Sequence, residues 1–325
     1  MDLNAHKIAI VIALFNNEDE IARAACSAVA QKVPEGYQLD VIIVDDGSTD
    51  SSLEKARELA AEHAQITVLQ TPQNGGPSVA RNTALAATDA AWFTPLDSDD
   101  MLAPDRISQL IAHAVRLQAD FVADNLLVTH ASAPLQTERT LWPAKPEGDV
   151  RLDAARFVRH CHSQDLDRSE LGFLKPLINR SRLSDPARPY IDDLRFGEDF
   201  ELYTRLLLDG AAGYLVDPCG YYFIQRDMSA SRSQSGADHH NLLKISRRFA
   251  ARDDLNQETR AALRGHLQYS EKEMAYWALI DGVNNRDMGQ FFSAFTISPG
   301  ASLAAIGFLI SHPFRKLRGR QTGSQ

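Results

Sequence analysis

Short apolar runs alternate with amphipathic segments over the first 130 residues of the chain. The apolar runs are rich in β-branched residues, as buried parallel strands are, and the segments between them repeat apolar residues at helical spacing. Because strand and helix alternate through short connections, we expect an α/β fold with a mostly parallel sheet. Strands are predicted at 7–14, 39–46, 66–70, 90–96 and 120–130, and helices at 18–31, 51–63, 79–87 and 106–118.

The first apolar run has an alternative interpretation. IAIVIALF follows Lys7 and has the length of a short signal-peptide core. It continues directly into the polar residues NNEDE, without a small-residue cleavage site. Its β-branched residues suit a buried strand, and we therefore assign 7–14 to the sheet.

Helical periodicity dominates the end of the chain. A helical pattern follows Gly197, and similar patterns cover residues 239–252 and 257–280. The sequence therefore predicts a sheet-containing domain at 1–235 and an all-helical region at 236–325.

Residues 288–314 contain no Asp, Glu, Lys or Arg, and the basic run RKLRGR follows them. Pro299 and Gly300 interrupt this apolar segment, whereas a membrane-spanning helix needs roughly twenty continuous apolar residues. One interpretation is two short helices that pack on the protein. A second is a peripheral membrane anchor over 288–320, whose basic end contacts anionic lipid. A true span or hairpin is the third.

The overall composition is that of an ordinary globular protein. The chain has 325 residues, 44% of them hydrophobic, and a net charge of −9. This acidic balance argues against a nucleic-acid partner, which would normally require a basic stripe. Cys26, Cys161 and Cys219 are too few and too far apart for a zinc motif or a disulfide framework, and indicate a reducing compartment.

Polar clusters follow three of the predicted strands. FNNE follows the first strand, DDGSTD the second, and DSDD the fourth. Each cluster alone is also compatible with a helix start, a turn or a solvated loop. Ligands of open parallel sheets bind outside the carboxyl ends of the strands. We therefore expect the three clusters to converge on one edge of the sheet and to form a binding site.

The acids of this site indicate a hard metal ion. Asp97, Asp99 and Asp100 lie within four positions, and carboxylates favour Mg²⁺ or Mn²⁺ over zinc. The natural partner of such an ion is a diphosphate, whose departure the metal charge assists. Arg81 is a candidate for a bidentate phosphate or base contact, with a surface ion pair as the alternative.

Five motifs together resemble the family-2 nucleotide-sugar glycosyltransferases, which are inverting enzymes of the GT-A fold. They are IALFNNEDEI, VIIVDDGSTDSS, QNGGPSVARNTAL, FTPLDSDDMLAPDRI and FGEDFELYTRLL, and they extend from about residue 7 to about residue 230. The resemblance implies a Rossmann-like, mostly parallel sheet flanked by helices, with a C-terminal helical appendage. It also implies a nucleotide-sugar half near 1–130 and an acceptor half near 131–235.

The resemblance assigns roles to residues at the strand ends. It implies that Ala13 and Phe15 border the nucleobase, that Glu18 follows in the same loop, and that Asp46 accepts the uracil N–H. Arg81 is expected to line the same pocket.

The resemblance also identifies a DxD element at Asp97, Ser98 and Asp99. These residues are expected to hold the ribose and the metal-bound diphosphate, with Asp97 and Asp99 as ligands of Mn²⁺ or Mg²⁺. Asp100 is the additional acid that usually stands beside this element.

A pair of acids supplies the expected chemistry. Glu198 and Asp199 follow Gly197 at the start of a predicted helix, where the helix dipole alone favours acids. The resemblance implies that Asp199 is the general base that removes the proton of the attacking acceptor hydroxyl. Glu198 is expected to orient the acceptor or to raise the pKa of the base.

Four basic residues are further candidates. Lys175 and Arg180 lie in a segment that faces the acceptor in the family, although solvated surface charge is an equal alternative. Arg226 and Arg232 lie in a segment similar to the mobile loop of the family and are candidates to approach the diphosphate. The loop lacks the His of some family members, so no His ligand is assigned.

The resemblance implies an enzyme that moves a sugar from a nucleotide-sugar, with UDP as the expected nucleotide, to a glycan or lipid-linked saccharide. The expected process is the synthesis of exopolysaccharide or another cell-surface glycan, in the cytoplasm or at the cytoplasmic face of the inner membrane. A non-catalytic nucleotide-sugar-binding protein is the alternative. A sugar nucleotidyltransferase would carry a GxGxR-like loop where this chain has ALFNNE.

Overall fold

A computed structural model describes residues 6–161, 169–225 and 235–303. The chain forms two compact units, residues 1–232 and 233–325. The described part of the first unit contains two β-sheets with flanking helices, and the described part of the second is helical.

The strands of the described residues all belong to the first unit. In chain order they are β1 (Lys7–Leu14), β2 (Gln38–Asp45), β3 (Ile66–Gln70), β4 (Trp92–Asp97), β5 (Met101–Leu102), β6 (Phe121–Asp124), β7 (Leu127–His130), β8 (Arg139–Thr140), β9 (Val150–Leu152), β10 (Leu177–Asn179), β11 (Gly213–Val216) and β12 (Tyr221–Gln225). The larger sheet has eight strands in the order β3-β2-β1-β4-β10-β6-β11-β9, and the smaller has four in the order β5-β12-β7-β8. In the larger sheet only β9 and β10 run against the other strands.

The α-helices follow the predicted alternation through α4 and then continue into the second unit. They are α1 (Ile21–Val29), α2 (Ser52–Glu62), α3 (Pro77–Ala86), α4 (Arg106–Leu117), α5 (Ala154–Arg159), α6 (Glu198–Leu208), α7 (Gly236–Ala250), α8 (Gln257–Asn284) and α9 (Met288–Ile297). The strand assignment of residues 7–14 is confirmed, because β1 is buried in the sheet and pairs in parallel with both β2 and β4.

One predicted strand is wrong as a single element. Residues 120–130 form β6 in the larger sheet and β7 in the smaller one. Asn125 lies between them, and its side chain donates to the carbonyl of Trp142 at 2.9 Å and accepts from the Trp142 N–H at 2.8 Å. The Asn125 N–H also donates to the carbonyl of Val216 in β11, so Asn125 contacts both sheets at the point where the chain crosses between them.

Strand β10 comes from the second half of the sequence but lies between two strands of the first half. Ile178 pairs with Phe93 of β4 on one side and with Phe121 of β6 on the other, antiparallel to both. Because β10 runs against β4, the residues just before β10 lie beside the carboxyl end of β4. Lys175 is therefore brought to Asp97 by sheet register.

A fully buried ion pair joins α4 to β6. The Arg106 guanidinium donates to Oδ1 of Asp124 from Nε and Nη2, at 3.0 and 2.8 Å, and lies 5.0 Å from the centroid of the Tyr221 ring. Both charged side chains are 0% exposed. Removal of one partner would leave the other charge buried without compensation.

We expect Arg106→Met to lower the free energy of unfolding by about 3–5 kcal/mol, because Asp124 would remain buried and unpaired. Urea denaturation followed by circular dichroism measures this loss. Arg188→Met is the control, since Arg188 and Asp192 form an exposed ion pair whose loss should cost at most about 1 kcal/mol. Equal losses in the two variants would contradict the prediction.

The second unit begins with a capping box, in which the Ser235 hydroxyl and the Asp238 carboxylate bond to each other's backbone N–H at the start of α7. Helix α9 packs on α8 through a cluster that includes Ala278, Leu279 and Ala294. Among the described residues, no helix is both long enough and apolar enough to cross a bilayer.

The apolar segment that begins at residue 288 is only partly buried. Phe291 and Phe295 pack against the cluster between α8 and α9, as the interpretation of packed short helices requires. Phe292, by contrast, is 59% exposed, and Met288 and Leu303 are also exposed. Residues 304–325, which include the basic run, lie outside the described residues.

Candidate active site

The polar clusters at the carboxyl ends of β1, β2 and β4 converge, as the sequence predicts. The Asn17 side chain donates to the Ser98 hydroxyl at 2.8 Å, which connects the end of β1 to the acid run after β4. The Asn16 side chain accepts from the Thr49 N–H at 2.8 Å, which connects the end of β1 to the loop after β2. These bonds hold the ends of the three strands together, so that their polar residues lie on one surface.

The residues expected around the nucleobase lie at this surface. Ala13 is paired in register with Asp97 across β1 and β4, and Phe15 is 47% exposed just beyond the end of β1. The Glu18 carboxylate accepts from the Ser51 N–H at 3.1 Å, which holds the start of α2 against the loop after β1. Phe15 therefore presents an accessible aromatic ring at the mouth of the site, while Glu18 shapes its loop.

Asp46 is buried and holds the loop that leads into α3. Its Oδ1 accepts from the Thr71 hydroxyl at 2.8 Å and from the Gly75 N–H at 3.0 Å, and its Oδ2 accepts from the Gly76 N–H at 2.6 Å. Gly76 has φ +91°, and a Cβ there would lie 2.9 Å from the Arg195 side chain. Asp46 thus determines where α3 begins, and so where Arg81 lies.

Arg81 connects the acid run after β4 to the acid pair of α6. Its Nη2 donates to Oδ1 of Asp97 at 3.0 Å, and its Nη1 lies 2.8 Å from Oε1 of Glu198 and 3.3 Å from Oδ1 of Asp199. The guanidinium is buried, so the alternative of a surface ion pair is wrong. One cation therefore holds together three carboxylates from separate parts of the sequence.

Lys175 makes a second bridge between the same groups. Its Nζ lies 3.0 Å from Oδ2 of Asp97 and 2.8 Å from Oδ2 of Asp199, and its side chain is only 4% exposed. The alternative of a solvated surface charge is therefore wrong for Lys175. Two buried cations now face three carboxylates, and each oxygen of Asp97 accepts from one cation.

This pairing sets the protonation states in the network. Burial opposes the charged form of Asp97, but the charges of Lys175 and Arg81 outweigh burial and lower the pKa of Asp97. Burial likewise opposes the charged form of Lys175, yet the charges of Asp199 and Asp97 raise its pKa. Asp97 and Lys175 therefore stay ionised at neutral pH.

The two acids of α6 have different surroundings. Asp199 also accepts from the Tyr203 hydroxyl at 3.2 Å, in addition to its bonds from Lys175 and Arg81. Glu198 accepts from Arg81, and burial together with the charge of Asp199 raises its pKa. Both lie in the first turn of α6, where backbone N–H groups favour negative charge.

Asp100 has different surroundings from the other acids of the run. It is buried, with Oδ2 accepting from the Tyr221 hydroxyl and Oδ1 from the Ile224 N–H, each at 2.8 Å. Burial, followed by the charges of Asp99 and Asp97, raises the pKa of Asp100 well above its ordinary value. Asp100 therefore supports β12 and is poorly suited to bind a metal ion.

The remaining acids suit a metal ion that is shared with a diphosphate. Within the described ranges, no three His, Cys, Asp or Glu side chains cluster closely enough to hold an ion without help. Asp99 lies in the turn after β4, partly exposed, beside Asp97. Mg²⁺ commonly binds through one or two carboxylates plus substrate phosphates, and Asp97 and Asp99 fit that arrangement.

Arg180 does not reach the site. Its guanidinium donates to the carbonyls of Leu85, Thr88 and Ala90. These bonds satisfy backbone groups around the end of α3, and Arg180 is buried, so the candidate acceptor or phosphate contact and the alternative of a solvated surface charge are both wrong for Arg180. Arg226 and Arg232 lie outside the described residues.

Sequence reasoning missed the aromatic residues of the site and the bridging position of Lys175. Tyr190, Tyr203 and Tyr221 all lie against the charged groups, and no role was assigned to any of them, although Tyr203 lies within the motif FGEDFELYTRLL. A lysine inside the apolar run GFLKPLIN was the available signal, since a buried ammonium requires acidic partners.

Solved structures confirm the GT-A fold. TarS from S. aureus in complex with UDP-GlcNAc superposes with a TM-score of 0.66 at 18% identity, over 89% of this chain and 79% of that chain. The mannosyltransferase PcManGT from Pyrobaculum calidifontis, in complex with GDP-Man and Mn²⁺, superposes with a TM-score of 0.57 at 14% identity, over 94% and 79%. The fold class is therefore that of the GT-A transferases.

Sequence comparison identifies the family. Residues 9–163 match the model of Glycosyl transferase family 2. The succinoglycan biosynthesis protein ExoU of Rhizobium meliloti is 31% identical over 96% of this chain and 89% of its own length. ExoO of the same organism, also a succinoglycan biosynthesis protein, is 32% identical over 69% of this chain and 62% of its own length. The chain belongs to glycosyl transferase family 2, as its motifs predict.

Proposed function

We propose that this glycosyltransferase moves a sugar from a UDP-sugar to a hydroxyl of a glycan or lipid-linked saccharide, with inversion at the anomeric carbon. The proposed process is the synthesis of exopolysaccharide or another cell-surface glycan. The names of the relatives ExoU and ExoO support the process, and the UDP-GlcNAc complex of TarS supports the nucleotide.

The observation that carries the proposal is the pair of cationic bridges between Asp97 and Asp199. Arg81 and Lys175 each contact both carboxylates, at 2.8 to 3.3 Å. A displacement reaction needs a diphosphate-binding group and a proton acceptor on opposite sides of one carbon atom. The two bridges fix the residues proposed for these roles relative to each other.

The proposed reaction is a single displacement. The acceptor hydroxyl oxygen forms a bond to the anomeric carbon as the bond from that carbon to the diphosphate oxygen breaks, and its electron pair leaves with the diphosphate. The hydroxyl proton passes to Asp199. Lys175, Arg81 and Tyr203 each donate to the Asp199 carboxylate and hold it in one orientation before the proton arrives.

Glu198 is a second candidate for the base, and its pKa is the observation that favours it. Burial and the neighbouring charge of Asp199 raise the pKa of Glu198 toward neutrality, where a general base is most effective. Asp199, in contrast, accepts hydrogen bonds from two cations, Lys175 and Arg81. Substitution of each acid separately distinguishes the two assignments.

Asp97 and Asp99 are the residues proposed to hold Mn²⁺ or Mg²⁺ together with the diphosphate. A bound divalent ion would neutralise the charge that develops on the leaving diphosphate. Arg81 and Lys175 both contact Asp97, so they add positive charge on the same side of the site.

A donor screen tests the proposed function. Purified chain is mixed with individual UDP- and GDP-sugars and Mn²⁺, and the release of nucleotide and the binding of each sugar nucleotide are measured. We expect metal-dependent release from one or a few UDP-sugars. Binding without any release or transfer would instead support the non-catalytic alternative.

We also propose that the C-terminal region binds anionic membrane surfaces. Met288, Phe292 and Leu303 are exposed apolar side chains, and the segment 288–314 carries no Asp, Glu, Lys or Arg. The four basic residues of RKLRGR follow it, and each contributes about 1 kcal/mol near an anionic surface. The proposed location is the cytoplasmic face of the membrane.

Vesicle co-sedimentation tests the membrane proposal. We expect the chain to bind phosphatidylserine vesicles at low salt and to dissociate as salt rises, because salt screens exposed charges. Met288→Ser combined with Phe292→Ser should weaken binding without unfolding the protein, since both side chains are exposed. Ala294→Ser is the matched control on the buried face of α9. Failure of the full chain to bind these vesicles at low salt would exclude the proposal.

A further inference from the structure

Tyr190 is a buried phenol whose hydroxyl group has no partner in the described part of the chain. Its side chain is only 4% exposed, and the hydroxyl has no hydrogen-bond partner within residues 6–161, 169–225 and 235–303. A buried polar group without a partner destabilises the free protein, so its presence calls for a compensating role. The ring lies against the site, with the Arg81 guanidinium carbon 5.5 Å from its centroid.

The position of Tyr190 is fixed from α3. The Asn82 side chain donates to the Tyr190 carbonyl at 2.8 Å and accepts from the Tyr190 N–H at 3.0 Å. Asn82 follows Arg81 in the same helix and is itself buried. One turn of α3 therefore positions both the guanidinium that bridges the carboxylates and the phenol beside it.

The surroundings of Tyr190 determine which role its hydroxyl takes. Burial, followed by the charge of Asp199, raises the pKa of Tyr190, while Arg81 and Lys175 act in the opposite direction. The group therefore remains an O–H at neutral pH and acts as a hydrogen-bond donor. The described residues provide no acceptor for this donor.

We propose that the Tyr190 hydroxyl donates a hydrogen bond to an oxygen atom of the saccharide bound in the site. This inference rests on the proposed glycosyl transfer, in which Asp97 holds the metal-bound diphosphate of the donor and Asp199 accepts the proton of the acceptor hydroxyl. Arg81 contacts both of those carboxylates, and Tyr190 lies against Arg81. Tyr190 is thus a binding residue for the saccharide, and the oxygen belongs to either the donor sugar or the acceptor.

Tyr190→Phe tests this inference, because it removes the hydroxyl and keeps the ring beside Arg81. We expect the stability of the free protein to be unchanged or higher, since an unsatisfied buried donor has been removed. Sugar transfer should nevertheless fall about 10-fold to 100-fold in kcat/KM, because a sugar oxygen then lacks its donor. Tyr214→Phe is the control, since Tyr214 lies on β11 under Arg151 and neither quantity should change.

Two assays distinguish the source of the oxygen atom. If it belongs to the donor, Tyr190→Phe should weaken binding of the UDP-sugar that the wild type uses and slow its hydrolysis, while UDP binding stays the same. If it belongs to the acceptor, hydrolysis should persist and the KM for acceptor should rise by the same factor. Either pattern supports the proposal.

Three results would overturn it. Wild-type kinetics in Tyr190→Phe would show that the hydroxyl does not contact the saccharide, and would leave the proposed function intact. A loss of stability in the free Tyr190→Phe protein would show that the hydroxyl already has a partner there. A wild-type chain that neither binds nor uses any nucleotide-sugar would remove the proposed function and this inference with it.

Discussion

Asp199→Asn should lower the rate of sugar transfer by about 100-fold to 10,000-fold, the usual contribution of a general base. The amide keeps the shape of the side chain but cannot take the proton of the acceptor hydroxyl. Donor binding should stay the same or become tighter, because Arg81 and Lys175 lose one of their anionic partners. Single-turnover kinetics at saturating acceptor, with calorimetric titration of the donor, measures the two effects separately.

Glu198→Gln is the informative comparison for this variant. It removes the neighbouring carboxylate, which accepts from Arg81, and leaves the bonds of Asp199 in place. We expect a smaller loss than in Asp199→Asn. If Glu198→Gln loses more activity, and the acidic limb of the pH–rate profile disappears with it, Glu198 is the base and the assignment of Asp199 is wrong.

Asp99→Ala should abolish metal-dependent transfer and leave the fold intact. Asp99 lies in the partly exposed turn after β4, so its removal should change stability little, whereas it is one of two proposed protein ligands of the metal ion. The measurements are transfer as a function of Mn²⁺ concentration and the thermal shift produced by Mn²⁺ with UDP. Chelation of the wild-type enzyme should have the same effect and should be reversed by added Mn²⁺.

Asp40→Asn provides the control for the metal prediction. Asp40 is a carboxylate near the amino end of β2, paired with Lys7, at the opposite end of the strand from the site. Its substitution should leave the dependence on Mn²⁺ unchanged. Full activity of Asp99→Ala, or of the wild type in excess chelator, would contradict the proposed metal role.

Much of the site was accessible from the sequence because parallel topology itself brings strand ends together. FNNE, DDGSTD and DSDD follow β1, β2 and β4, which are neighbours in the parallel part of the sheet, and the bonds of Asn16 and Asn17 confirm their convergence. The order of motifs likewise predicted that the acids of α6 would belong to the same site, and Arg81 contacts Glu198 and Asp199.

The remaining features depend on packing that local sequence does not encode. Lys175 reaches Asp97 only because β10 enters the sheet antiparallel beside β4. The sequence of a three-residue strand is too short to predict which strand it pairs with or in which register. Arg180 comes from the same segment as Lys175, yet it bonds to backbone carbonyls around the end of α3. The place of Tyr190 in the site could not be predicted, because it depends on two backbone hydrogen bonds with the side chain of Asn82, more than 100 residues earlier.

The insertion of β10 also governs how the chain can fold. Because this strand, Leu177–Asn179, separates β4 from β6, the central sheet stays incomplete until the ribosome has released residues far downstream of the first six strands. Such long-range closure slows folding and leaves the edges of β4 and β6 unpaired during synthesis, where they are open to aggregation or to chaperones. A fragment that ends near residue 130 should therefore not behave as an autonomous nucleotide-binding module. Chimaeras that exchange acceptor specificity within this family should carry β10 from the same parent as β4 and β6.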